Sequence, residues 1–149
     1  MAIGALTAAR ELGAAADWRL SNLALQKILY LAHMFHLGRH SEPLIHEHFE
    51  AWDYGPVVPE VYRRARAFGS GPVQDAFYDV PWARLGSEKE IIQEAAASLK
   101  DVSPSRLVAI THSPGGAWAE HYLPGWKGSV IPNRDILAEY ERLHDGKAA

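Results

Sequence analysis

The chain has 149 residues, 48% of them hydrophobic and 22% charged, with a formal net charge of -3 and no cysteine. A chain of this length fits one domain, read here as spanning 1–149, and can bury about 70% of its unfolded surface, which excludes general disorder. The missing cysteines exclude disulfides, thiolate metal sites and cysteine nucleophiles, and the acidic balance argues against nucleic acid or an anionic membrane as partner.

The N-terminal stretch Ile3 to Ala16 is alanine-rich, with Ile3, Leu6 and Ala9 or Arg10 at helical spacing, and predicts a first helix. Arg10, Glu11 and Asp17 interrupt its apolar content, so it matches neither a spanning helix nor a secretory leader, and a cytoplasmic protein is expected. Ser21 or Asn22 is a suitable N-cap for the next helix. Leu25, Ile28, Leu29, Ala32 and Phe35 or His36 trace its stripe, Leu31 widens it, and Gly38 is expected to end it. Gln26 and Lys27 lie beside the stripe. That position is usually the solvated edge of a core helix, or the pair meets the backbone of the Trp52 to Gly55 segment.

A loop follows from His40 to Ile45, then an alternating stretch from His46 to Tyr54 that predicts a short strand, with Phe49, Ala51 and Asp53 on one side. Gly55-Pro56 is expected to stop the strand, and Pro59 to open a helix reaching Phe68, with Val57, Val58, Val61, Tyr62 and Ala65 buried. Residues 69–72 read as a turn and Val73 to Leu85 as a loop. Ser87 is expected to cap a helix from Glu88 to Leu99, with Glu90 completing a capping box and Ile91, Ile92, Ala95 and Leu99 facing inward. Ser103-Pro104 opens a short helix with Leu107, Val108 and Ile110 or Thr111 inward, and a further short segment surrounds Trp118. Val130-Ile131 is a two-residue strand candidate. Asn133 is expected to cap a last helix with the stripe Ile136, Leu137, Tyr140 and Leu143, fraying from His144 to Ala149. The fold expected is mainly α, a compact bundle of six or seven helices with a two- or three-stranded β element near 46–54 and 128–132.

Three sets of side chains invite a chemical reading. His33, His36, His40, His46 and His48 crowd one stretch, and such a set could serve a metal-dependent hydrolase. Gly38, however, is expected to separate His36 from His40, and no carboxylate or cysteine completes a ligand set. Ser113, His112 and Asp135 or Glu120 could be drawn as a triad, but no nucleophile elbow surrounds Ser113, and Thr111 and Ser113 read better as hydroxyls satisfying a helix end. Arg63, Arg64 and Arg66 on one helix could touch DNA, and read first as a solvated face. Five tryptophans are many for this length. Trp52 and Trp118 sit in apolar contexts and are expected in the core, while Trp82 and Trp126, in Pro/Gly-rich loops, could pack or bind.

Two runs carry a resemblance. Leu25-Gln26-Lys27-Ile28-Leu29-Tyr30, then Phe49-Glu50-Ala51-Trp52-x-Tyr54-Gly55-Pro56-Val57-Val58-Pro59-x-Val61-Tyr62, resembles the Panacea domain of SocA-like antitoxins and phage-associated proteins. Leu107-x3-Thr111-His112, Ala117-Trp118 and Ile131-Pro132-x3-Ile136 look like its C-terminal pattern, so the resemblance runs from Ser21 to Tyr140. It implies a mostly helical, non-enzymatic antitoxin that neutralises a cognate toxin by direct contact, without metal or cofactor. SocA-like members resemble proteolytic adaptors, which implies a ClpXP-type AAA+ protease as a second partner. The motif residues so marked are Gln26, Lys27, Tyr30, Trp52, Tyr54, Gly55, Pro56, Val57, Pro59, Tyr62, Thr111, His112 and Trp118. Trp52, Gly55 and Pro56 suit a structural corner. The chain departs from the family pattern in its alanine-rich N-terminus, its histidine cluster and the 73–86 loop, where partner choice is expected to reside.

Overall fold

The computed structural model describes residues 1–148. Helix α1 (Ala5–Ala15) leads into α2 (Asn22–His40), followed by strands β1 (Phe49–Trp52) and β2 (Gly55–Val57). Helix α3 (Pro59–Ala65) tightens into a 3-10 turn at Arg66–Phe68, and α4 (Ser87–Leu99), α5 (Pro104–Thr111) and α6 (Ala117–His121) follow. Strand β3 (Val130–Ile131) and helix α7 (Asn133–Ala148) complete the order. This is the expected mainly α architecture: among the described residues, seven helices with a small antiparallel sheet ordered β2-β1-β3.

Helix α2 is the axis of the core. It packs against α1, α4, α5 and α7, and most of its circumference is buried, including Leu25, Ile28, Leu29, Tyr30, Ala32 and Met34. Ser21 caps it as expected, its Oγ accepting from the Ala24 amide at 3.2 Å. Gly38 does not end it. The helix runs two residues further to His40 and stops at Ser41, which adopts the left-handed conformation at φ 57°. A Cβ on Gly38 would fall inside the Tyr140 ring, so this glycine admits α7 against α2.

Other helix starts differ from expectation for a related reason. Ser87 and Asn133 are the first residues of α4 and α7, and their side chains are held by histidines of α2. Gly86 is the N-cap of α4 and provides no side-chain cap. The first helix begins at Ala5, two residues late, because Ile3 pairs with Ile45 in a parallel bridge. Its buried face is Ala5, Ala8, Ala9 and Leu12. Helix α7 carries Ile136 into the core, leaves Leu143 exposed and continues to Ala148, beyond the expected fray at His144; Ala149 lies outside the described residues.

The hairpin is tighter than the sequence indicated. The strand begins at Phe49, so His46 and His48 lie before it, and Gly55-Pro56 is itself the second strand. Glu50 faces Val57 and Trp52 faces Gly55 across a two-residue turn of Asp53 and Tyr54. Phe49 and Glu50 pair with Ile131 and Val130 on the other side. The alternation holds where it matters: Phe49 and Ala51 are buried. The 73–85 stretch is irregular, yet Val73, Phe77 and Val80 are buried beneath it.

Candidate functional site

The residues of the two matching runs converge where α2 passes behind the hairpin. Lys27, one turn into α2, is fully buried and donates from Nζ to the Pro56 carbonyl at 2.9 Å. Beside it, the Gln26 Oε1 accepts from the Val58 amide at 2.9 Å, and the Gln26 Nε2 donates to Asn22 Oδ1 at 3.3 Å. These two side chains take up backbone groups on the outer edge of β2, which would otherwise be unpaired in the interior. The pair is therefore a buried bracket and not a solvated edge, and it meets the backbone just past the segment the sequence pointed to.

Gly55 is the contact that makes the bracket possible. Its φ of +114° and the Lys27 stem behind it both require glycine: a Cβ would lie 2.6 Å from Lys27 Cε and 3.0 Å from Thr111 Oγ1. The Thr111 hydroxyl donates to the Leu107 carbonyl at 3.1 Å, the helix-end role expected of it. The next residue, His112, stacks on Trp118 with ring centroids 3.6 Å apart and planes 7° apart. Trp118 donates from its indole to the Trp52 carbonyl at 2.7 Å and stacks on Tyr122. Trp52 in turn meets the Tyr62 ring edge-on at 4.8 Å.

Burial sets the electrostatics. It pulls the Lys27 ammonium down to about 7 from its ordinary 10.5, and among the described residues no carboxylate pairs with it. His112 is lowered, first by burial and then by the Lys27 charge, and its Nε2 is a buried atom without a hydrogen-bond partner. On the front of the bracket lies a cavity of about 430 Å³, floored by Gln26 and Lys27 and walled by Leu23, Trp52, Val57 and Tyr62, with Tyr54 and Lys127 at its mouth. Tyr54 is 70% exposed, and Lys127 places its ammonium 4.7 Å from the Trp52 ring. Pro59 begins α3 and sets the direction in which Tyr62 leaves the hairpin.

Tyr30 completes the motif about one turn further along α2, where its ring meets Phe49 of β1 edge-on at 5.2 Å. It donates to Glu139 Oε1 at 2.9 Å, the same oxygen that accepts the Ala117 amide at 3.1 Å. Burial and the Glu139 charge raise the Tyr30 hydroxyl far above its ordinary range. Glu139 was missed by the sequence reading. Its signal is a carboxylate three residues after Ile136, inside the apolar stripe of the last helix.

Among the described residues, His33, His36, His40, His46 and His48 do not bring three ligand atoms together. His33 accepts from the Ile45 amide at Nδ1 and donates from Nε2 to Asn133 Oδ1 at 2.8 Å; burial pulls it down to about 4. His36 donates from Nδ1 to the Glu42 carbonyl at 2.7 Å and bonds Ser87 Oγ through Nε2. His40 stands 4.7 Å from the His36 ring on the same uninterrupted helix, but His40, His46 and His48 are exposed. The metal-capable group that does come together among the described residues is Glu120, His121 and Asp135, with His121 already bonded to Asp135 at 2.7 Å. The triad also dissolves: Ser113 donates to the Ile110 carbonyl, away from His112. Arg64 is engaged by Asp79 and the Ala76 carbonyl, leaving Arg63 and Arg66 exposed without a third basic neighbour on that helix. Of the tryptophans, Trp118 is buried and Trp52 half-buried, while Trp82 and Trp126 are exposed. No helix among the described residues is long and apolar enough to cross a membrane.

Residues 25–119 match the family model described as antitoxin SocA-like, Panacea domain. The chain is 37% identical over 115 residues to the antitoxin SocA of Caulobacter vibrioides (strain NA1000 / CB15N), an overlap that covers 70% of this chain and 61% of that relative. No solved structure matches.

Proposed function

The chain belongs to the family of SocA-like antitoxins with a Panacea domain, and from that premise we propose that it is a cytoplasmic antitoxin that neutralises one cognate toxin protein by direct contact. In this reading it is a binding protein and not an enzyme, built as one domain over 1–149. It works as an adaptor, presenting the bound toxin to a ClpXP-type AAA+ protease. The family match over 25–119 is the observation that carries the reading.

The geometry supports a division of labour within it. The motif residues Gln26, Lys27, Tyr30, Gly55, Pro56, Thr111, His112 and Trp118 are engaged inside the fold, in contacts that join the hairpin to the helices. Apart from Tyr54, the large apolar side chains available to a partner lie outside the motif: Trp82 and Leu85 on the 73–86 loop are 49% and 92% exposed. Leu123 and Trp126 are also open, on the loop that crosses the Trp52 face. Such side chains dominate protein interfaces.

Co-expression with the product of the neighbouring open reading frame tests the proposal. Growth arrest by that product alone, relieved by this chain and accompanied by co-purification, is expected; a harmless product, or one that stays toxic, rejects it. The adaptor step is tested by purified ClpXP, which should degrade the toxin only when this chain is present.

A further inference from the structure

We propose that the face built by Arg10, Trp82, Arg84 and Leu85 is a docking surface for an acidic segment of a partner protein, one in which Asp or Glu residues flank a large apolar side chain. The proposal goes beyond the antitoxin reading by naming the chemistry this surface takes, and it stands whichever protein supplies the segment.

The exposed apolar side chains of this face sit on a backbone that is tied down. Phe77 and Val80 are buried and anchor the irregular 73–85 stretch in the core. Arg10 of α1 donates to the Val80 carbonyl, and the buried Glu11 accepts the Ala83 amide at 2.7 Å. Trp82 stands between these two anchors and is still half exposed, and Leu85 lies almost wholly open just beyond them. Both border a cavity of about 460 Å³ that reaches back to Ile3 and Thr7. A tryptophan presented this way is typical of the residues that dominate interfaces, and a backbone already fixed loses little entropy when a partner covers it.

The charges left over on this face have one sign. Its carboxylates are already engaged: Glu11 by the Ala83 amide and, at 3.7 Å, by the Lys89 ammonium, and Glu88 by the terminal ammonium at 3.0 Å. Asp79, next to Val80, is bonded to Arg64 at 2.6 Å. Arg84 is exposed on the cavity wall, and among the described residues neither it nor Arg10 forms an ion pair. A chain of net charge -3 thus places two unmatched guanidinium groups beside two exposed apolar side chains. Arg10 lies 4.0 Å over the Trp82 ring, which occupies the face of its guanidinium and leaves the in-plane N–H groups that Val80 does not take. Carboxylates match such groups bidentately, while an apolar side chain next to them covers Trp82 and Leu85. An anionic membrane calls for a cluster of basic residues, and this face offers two in an acidic chain, so a protein segment is the better fit.

Calorimetric titration of the full chain at low ionic strength with end-blocked peptides tests the surface. The probes are Gly-Glu-Glu-Leu-Phe-Glu-Glu-Gly, the same peptide with lysine for every glutamate, and the same peptide with serine for leucine and phenylalanine. The first should bind at least about tenfold more tightly than either of the others, and its affinity should fall as salt is added. Arg84→Glu should weaken the first peptide at least about fivefold and remove most of its advantage over the lysine peptide. Leu85→Ser should weaken the first peptide and leave the serine peptide unchanged, whereas Leu143→Ser, at an exposed site on α7, should alter nothing. Arg84 and Leu85 are exposed, so neither substitution threatens the fold. Equal binding of the glutamate and lysine peptides, no binding of any, or binding indifferent to Arg84→Glu and Leu85→Ser would overturn the proposal. So would a serine peptide that binds as tightly as the first, which removes the apolar anchor. Capture of the chain by phosphatidylglycerol vesicles without binding of the first peptide would make the occupant a membrane and overturn it as well. None of these results involves the neighbouring open reading frame, so failure here leaves the antitoxin reading standing.

Discussion

Replacing Lys27 with methionine removes a buried charge while keeping an unbranched stem of similar reach, and the consequence for stability has a sign that depends on pH. Burial holds the Lys27 ammonium at about 7 in the folded chain against 10.5 when exposed. Below pH 7 both states carry the proton and the penalty for burying the charge is constant. Between pH 7 and 10.5 the unfolded chain keeps the proton and the folded chain has lost it, so the free energy of unfolding rises with pH. Each pH unit in that window adds about 1.4 kcal/mol, or about 3 kcal/mol from pH 6.5 to pH 9. Methionine cannot contribute this rise, and all other titrating groups are common to both proteins. Urea denaturation followed by circular dichroism at the two pH values therefore predicts that the stability of the parent minus that of Lys27→Met grows by about 3 kcal/mol toward pH 9. A change below about 1 kcal/mol, or one of opposite sign, would refute the view of Lys27 as a buried, unpaired amine. At pH 6.5 the variant also loses the bond to the Pro56 carbonyl, worth about 1.5 kcal/mol, so its absolute stability there is the smaller signal.

The same linkage applies to His33 with the window moved: its pKa is held at about 4, so between pH 6.5 and 4 the unfolded chain takes up the proton first. Acidification across that window should cost the parent about 3 kcal/mol that His33→Gln does not lose, read by the same denaturation series. Gly55→Ala meets both the unfavourable φ and the Lys27 stem, and should lower stability by about 2–4 kcal/mol in thermal unfolding. Glu139→Leu strands the Tyr30 hydroxyl and the Ala117 amide and should cost about 3 kcal/mol, whereas Glu139→Gln, which keeps an acceptor, should cost less than half of that.

How much of this was legible in the sequence follows from the range of the forces involved. The stripe of α2, the alternation of Phe49 and Ala51, and the cap at Ser21 are local patterns, and they hold. Gly38 failed because the reason for a glycine there is the Tyr140 ring on a helix a hundred residues later, and no local signal distinguishes a close approach from a stop. Ser87 and Asn133 failed in the same way: both resemble caps, and both are claimed by imidazoles from α2. Lys27 sits one position off the apolar stripe, which ordinarily means water; here the hairpin covers that side of the helix and turns the lysine into a bracket for β2. The family motif contains the residues that meet at this bracket, but it does not indicate that a cavity lies beside them, because the cavity exists only between α2, the hairpin, the turn at 69–70 and the distant Lys127.

The antitoxin proposal is tested most directly by mixing the purified chain with the product of the neighbouring open reading frame and measuring both complex formation and the relief of toxicity in a growing culture. A stoichiometric complex, together with growth restored by the intact chain and not by a variant that fails to bind, is the predicted result. A toxic product that neither binds the chain nor is relieved by it would contradict the account.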